Sequence, residues 1–255
     1  MDPSTQARLK SEAEFHDKAF REGARASVGR FYRMIAPSRS HYLDYLCARC
    51  PGRRLLEYGS GDATQGPRFA GLGATVVGID ISPVAVEKNR DIVRRRGLER
   101  LSYEVMDAEA TTFADGSFDL IGGVGILHHL NLRKCYAEIA RLLDTGGSAI
   151  FIEPLGHNPL INWFRNRTPA LRTPDEHPLR MDDLELLRAY FGRVDLKFYY
   201  LLALGAALLP EGWMSRASLR ILHALDQALF AVFPFLRKHA WSVVLTVSEP
   251  RKPRL

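Results

Sequence analysis

Residues able to do chemistry cluster at four places in this chain. Glu57 stands two residues before a Gly59-Ser60-Gly61 turn, and Asp80 follows about 20 residues later. His128 and His129 are adjacent. Glu153 and His157 share the run Glu153-Pro154-Leu155-Gly156-His157-Asn158-Pro159, and Asp175-Glu176-His177 forms the last group. Glycines let a backbone approach a ligand closely, and the helix N-terminus after such a turn favours electronegative groups. An acid at the end of the second strand can accept hydrogen bonds from a ribose diol. Histidine moves protons near neutral pH. The histidines and carboxylates could in principle bind a metal, but no compact spacing such as H-x-x-x-H supports one, so none is expected.

The elements that must position these residues alternate. Strand patterns cover 53–58, 74–80, 101–106, 118–122 and 147–153, with helical patterns over 65–72, 83–96 and 132–143. That alternation implies an α/β fold with a parallel sheet covered on both faces. Residues 154–180 are rich in Pro, Asn, His and Arg and read as loop. A helix over 181–190 and a strand over 194–202 follow. Residues 203–240 are strongly apolar and helical in pattern, ahead of a last strand over 241–247. The first 50 residues form a mostly helical, aromatic-bearing preface. The expected division is an N-terminal helical lid (1–50), a core (51–202 plus 241–250) and an apolar helical insertion (203–240).

Composition narrows the class. With 255 residues, 46 % hydrophobic and 25 % charged, the chain suits one large domain with a cap. The net charge of +6, from 35 Lys+Arg against 29 Asp+Glu, permits an anionic partner without arguing for one. Three cysteines, an odd and sparse set, point to a reducing compartment and structural thiols. Cys47-x-x-Cys50 has neither a second ligand pair nor a strand before it. The polar first 20 residues show no signal-peptide pattern, so a cytoplasmic location is expected.

Two ligand classes share the glycine-turn layout. A dinucleotide fingerprint wants glycine where Thr64 stands, and a carboxylate such as Glu57 would repel a pyrophosphate. A ligand with a cationic aminoacyl end fits Glu57 better. Over residues 53–153 the chain resembles the class I S-adenosylmethionine-dependent methyltransferases, in their type-11-like small-molecule branch. Glu57-x-Gly59-x-Gly61 looks like that family's first motif, and Asp80 like its ribose acid. Met106-Asp107-Ala108 looks like the adenine-side motif. Phe118-Asp119-Leu120-Ile121 with Gly125-Ile126-Leu127-His128-His129-Leu130 looks like the fourth-strand motif. Leu143-Asp144-Thr145-Gly146-Gly147 resembles the usual L-x-P-G-G turn, with threonine for proline, and Ala63 replaces a frequent third glycine. The resemblance implies a Rossmann-like, doubly wound seven-stranded sheet with an antiparallel last strand. It also implies S-adenosyl-L-methionine as cofactor, held by Glu57, Gly59, Ser60, Gly61, Asp80, Ile81, Asp107, Ala108 and Gly123.

The acceptor is less legible. Nucleic-acid amino-methyltransferases of this fold carry Asn/Asp-Pro-Pro-Tyr/Phe after the fourth strand, and this chain has Gly123-Val124-Gly125-Ile126 there. A small-molecule acceptor is therefore expected, with no nucleic acid. His129 is favoured slightly over His128 as the acceptor-side base; Glu153, His157 and His177 complete the catalytic candidates. Tyr32, Asp175 and Glu176 are candidate acceptor contacts. The insertion reads first as a lid burying its apolar face, then as an acceptor tunnel. Interfacial membrane contact, helped by Arg216, Arg220, Arg237 and Lys238, is disfavoured, and a homodimer is left open. The function expected is methyl transfer to a small, partly apolar molecule, O-methylation ahead of N- or C-methylation. The rivals are an NAD-type oxidoreductase and a non-catalytic fold relative.

Overall fold

A computed structural model of the protein describes residues 13–14, 17, 35–62, 64–168, 176–209 and 212–251. Seven strands form one sheet: β1 (Arg54–Tyr58), β2 (Thr75–Asp80), β3 (Leu101–Val105), β4 (Phe118–Val124), β5 (Leu143–Pro154), β6 (Phe191–Tyr199) and β7 (Ser242–Pro250). Their order is 3-2-1-4-5-7-6. β1 to β5 pair in parallel, and β7 runs antiparallel to both β5 and β6. The expected doubly wound sheet is present, antiparallel seventh strand included. Strand order reverses between β1 and β4, which opens a crevice at their C-terminal ends.

The helices are α1 (Ala36–Cys47), α2 (Gly66–Gly71), α3 (Pro83–Arg96), α4 (Leu132–Leu142), α5 (Pro159–Arg167), α6 (Met181–Tyr190) and α7 (Trp213–Val232). Local chemistry starts and stops them. Ser82 caps α3 by accepting the Ala85 N–H at 3.1 Å, Pro83 begins its first turn, and Gly97 at φ +60° ends it. Asn131 caps α4, accepting from Lys134 N–H at 3.2 Å. Asn158 caps α5, accepting from Leu160 and Ile161 N–H at 3.0 and 3.2 Å.

Two cores flank the sheet. Leu56, Tyr58, Ile121, Ile139, Phe151, Leu184 and Phe191 belong to one, with Leu46, Leu55, Phe69, Val76 and Tyr103 in the other. α1 is built into the second core: Tyr42 and Leu46 pack over Gly122, where a Cβ would come within 2.6 Å of the Tyr42 hydroxyl. Cys50 and Cys135 are buried and all three thiols are unbridged. Burial raises the pKa of both buried thiols, as suits packing groups.

Three elements differ from the sequence pattern, the first being α5, a helix inside the 154–180 segment read as loop and started by the Asn158 cap and Pro159. β6 starts at Phe191 rather than 194, because Phe191 is buried and pairs opposite Pro250. It stops at Tyr199 rather than 202, because Tyr200 takes a left-handed φ of +65° that ends pairing. The insertion comprises a 3-10 turn (Leu202–Leu208), α7, and a second 3-10 turn (Pro234–His239). Its apolar surface divides. Leu219, Leu222 and Phe230 pack inward, while Ile221, Leu225 and Val232 are exposed. Asp226, fully buried, accepts the N–H groups of Leu201, Leu202 and Ala203 at 2.9, 2.7 and 3.2 Å and so fastens α7 to the first turn. Among the described residues, no helix is long and apolar enough to cross a membrane.

Candidate active site

The turn after β1 is held by backbone and acid together. Gly59 and Gly61 have φ of +74° and +53°, conformations that side chains rarely adopt. The N–H groups of Gly59 and Ser60 donate to the Ile79 carbonyl at 3.0 and 2.8 Å. Asp80 accepts the Gly61 N–H at 2.8 Å on one oxygen and the Ser82 N–H at 2.9 Å on the other. Asn89 closes the back of the turn, donating to the Gly61 carbonyl at 2.7 Å.

Glu57 is buried beneath the start of α2. It accepts the Gln65 N–H at 2.7 Å and a hydrogen bond from the Thr64 hydroxyl. That commits the single Thr64 hydroxyl proton, so the Tyr103 hydroxyl, 2.6 Å from Thr64 Oγ1, is the donor in that pair. Gly78 makes room for Tyr103, since a Cβ there would come within 2.4 Å of the ring. Burial pushes the Glu57 pKa up to about 7, against the downward pull of its Thr64 and Gln65 hydrogen bonds. A buried acid of this kind favours a cationic group beside it. The groups present fit an aminoacyl nucleoside: a carboxylate for an ammonium, a second carboxylate at the end of β2 for a diol, and a glycine turn for close approach.

The remaining cofactor-side candidates lie along the same sheet edge. Ser60 is buried, and half-buried Ile81 follows Asp80. Asp107 accepts the Glu109 N–H at 2.8 Å, and the Ala108 carbonyl accepts the Tyr58 hydroxyl. Gly123 is inside β4. A Cβ there would strike the Tyr58 carbonyl and the Phe151 ring at 2.7 and 2.8 Å, so packing requires glycine at this position.

The histidine cluster is built on Glu153, which has no exposed surface. Its carboxylate accepts the N–H groups of Ile126 and Leu127 at 2.9 Å each and contacts His128 Nδ1 at 2.7 Å. The loop thus fixed reaches the cofactor side, because the Ile126 side chain covers Gly59. His128 Nε2 lies 3.8 Å from a Glu176 oxygen, and Arg165 Nη2 lies 3.9 Å from that same oxygen. The His177 N–H donates to the His128 carbonyl at 3.1 Å. His129 stacks obliquely on His128 with ring centres 4.2 Å apart, and it lines an open cavity of about 700 Å³ with Glu109, Asn131, Lys134, His177 and Asp182.

His128, His129 and Glu176 offer donor atoms within 4.8 Å of one another, the one such group among the described residues. The Arg165 guanidinium already supplies positive charge beside Glu176, which disfavours an added cation. His157 sits apart from these residues. Its Nε2 accepts the Met181 N–H at 3.2 Å at the start of α6, and burial lowers its pKa. The structure therefore brings His128, His129, Glu153, Glu176 and His177 together and leaves His157 outside. Tyr32 and Asp175 lie outside the described residues. Sequence reasoning missed Arg165, Thr64 and Tyr103 as site residues. Only Thr64 carried a signal, through its place in the turn.

Residues 56–151 match the family Methyltransf_11, a methyltransferase domain. The chain is 36 % identical over 132 residues to aklanonic acid methyltransferase DauC of Streptomyces sp. strain C5, covering 50 % of this chain and 56 % of that protein. It is 25 % identical over 165 residues to methyltransferase YcgJ of Bacillus subtilis, covering 64 % of each. The chain thus spans less than two thirds of these curated relatives. Among solved structures, phosphoethanolamine N-methyltransferase 2 of Haemonchus contortus, with S-adenosylhomocysteine bound, superposes with a TM-score of 0.65 at 15 % identity. It covers 94 % of this chain and 60 % of that one; at that identity the likeness speaks for the fold alone. Residues 56–151 are a methyltransferase domain, and over them the chain resembles the class I S-adenosylmethionine-dependent methyltransferases.

Proposed function

We propose that the protein transfers a methyl group from S-adenosyl-L-methionine to a small, partly apolar acceptor, with oxygen the favoured target. S-adenosylmethionine, when bound, supplies an electrophilic methyl group on a sulfonium. Glu57 receives the ammonium end, Asp80 the ribose diol, and the turn from Gly59 to Gly61 admits the ligand backbone-close. The observation carrying the choice of oxygen is the buried pair His128 Nδ1–Glu153, 2.7 Å apart. Glu153 holds the proton of His128 on Nδ1 and leaves Nε2 to accept one from an acceptor hydroxyl. This favours His128 over His129 as base. Glu176 and Arg165 sit on the far side of Nε2 and orient the acceptor's polar end. Similar proteins include O-, N- and C-methyltransferases, so the acceptor atom rests on the dyad and not on likeness.

The test is calorimetric and catalytic. S-adenosylhomocysteine should bind the wild type and bind Asp80→Ala far more weakly; no binding, or binding indifferent to that change, overturns the reading. Absorbance of a co-purified nicotinamide would support the oxidoreductase instead. A panel of hydroxyl, amine and carbon acceptors then asks for turnover. Turnover confined to amines or carbon acids overturns the preference for oxygen.

A further inference from the structure

The outward side of the insertion is apolar and basic at once. On α7, Met214, Ile221, Leu225 and Val232 fall within about 40° of one another at 3.6 residues per turn, about 120–160° round from half-buried Leu219 and buried Asp226 and Phe230. Ile221 is 62 % exposed, Val232 68 %, and the aromatic ends Trp213 and Phe235 are 74 % and 66 % exposed. The stripe runs about 30 Å, the length of a 20-residue helix. Exposed apolar surface of this extent on a folded chain marks an interaction site.

Charge selects the occupant. Arg216, Arg220 and Lys238 are exposed, Arg220 and Arg216 about 120° and 160° round α7 from the stripe's centre with exposed Trp213, Ala224 and Ala231 between, and Arg237 follows on the second 3-10 turn. Across residues 212–240 Asp226 alone is acidic, and it is fully buried on backbone N–H groups. Among the described residues the face therefore presents positive charge only. A second copy on this face would bring like charges together with no exposed acid to answer them. An anionic lipid surface answers both features, taking the apolar side chains into its boundary and the arginines among its headgroups.

We propose that α7 and the following 3-10 turn seat the protein on an anionic membrane surface, lying in its plane without crossing it. The seat is joined to the candidate active site through α5. The Asn158 side chain at the start of α5 donates to the His239 carbonyl at 2.6 Å, and Arg165 near its end faces Glu176. The proposal itself does not depend on methyl transfer.

The test is co-sedimentation of the full chain with vesicles of phosphatidylglycerol and phosphatidylcholine, and with phosphatidylcholine alone. The protein should pellet with the mixed vesicles and lose binding in high salt. Arg216→Glu with Arg220→Glu should lower partitioning by about tenfold or more. Ile221→Glu with Leu225→Glu should abolish it. Retained S-adenosylhomocysteine affinity, or an unchanged far-UV circular dichroism spectrum where that ligand does not bind, reports that the variants fold. Equal binding with and without phosphatidylglycerol, or indifference to both double variants, overturns the proposal. So does a wild-type dimer that Ile221→Glu splits into monomers.

Discussion

The Glu153 carboxylate lies 2.7 Å from His128 Nδ1, and the same group holds the N–H groups of Ile126 and Leu127 at 2.9 Å. One buried acid at the end of β5 thereby fixes two things. It fixes the backbone of the loop whose Ile126 covers the glycine turn, and it holds the His128 imidazole by Nδ1. The glycine turn and the histidine pair are coupled through a single side chain.

That coupling separates the two histidines. His128→Gln should lower kcat by about 10²- to 10⁴-fold while leaving S-adenosylhomocysteine affinity unchanged, the size expected for loss of a general base. His129→Gln keeps the His128–Glu153 pair and should cost far less. Steady-state kinetics of both variants on one acceptor, with calorimetry for the cofactor, checks the order.

Glu153→Gln should act on both activity and stability. Its amide can accept from the backbone on one side only, and its NH2 then opposes a donor. Leaving buried donors unmet costs about 1–3 kcal/mol, visible as a lower Tm. As a positioning residue, Glu153 should also reshape the pH profile of kcat/KM, which a purely structural loss would leave unmoved. Restoration by Glu153→Asp of the profile, even at reduced rate, is the expected companion result.

Asp80→Ala removes a charged acceptor from two N–H groups of the glycine turn as well as from the ligand. Hydrogen bonds to charged groups contribute about 1.5–3 kcal/mol each, so S-adenosylhomocysteine should bind roughly 10- to 100-fold more weakly. Asp80→Asn keeps one acceptor oxygen and should fall between. Titration calorimetry on the three proteins gives the ranking.

The parts of this site legible in the sequence are those made within one strand–turn–strand unit. Glu57, Gly59, Gly61 and Asp80 meet because β1 and β2 pair in register, Tyr58 opposite Ile79. The His128–Glu153–Glu176 group is different in kind. Its members come from the β4–α4 loop, the end of β5 and the segment before α6, and only the assembled sheet brings them within reach. Arg165 gave no signal, since an arginine late in a helix has nothing in its spacing to tie it to Glu176. β6 was shifted by three residues because its end depends on the backbone of Tyr200, and hydrophobic pattern does not report a left-handed φ. Asp226 looked like a polar break in an apolar run, whereas it is the acceptor for three backbone N–H groups.

Glu57 supplies a pH dependence with a definite sign. Burial raises its pKa from 4.5 to about 7 in the folded, cofactor-free protein. Between those values the folded state holds a proton that the unfolded chain has lost. The stability this group contributes is therefore fully present below 4.5 and is lost as pH rises through about 7. A cationic aminoacyl end prefers the carboxylate and reverses the balance. S-adenosylhomocysteine affinity should rise from about pH 5 to 7, at most tenfold per pH unit for one proton released, and fall again once the ligand's amine loses its own proton. Calorimetry at several pH values in buffers of different ionisation enthalpy measures both the slope and the proton released. Glu57→Gln should flatten the acidic limb and abolish the proton release. A slope unchanged in that variant would assign the dependence to another group.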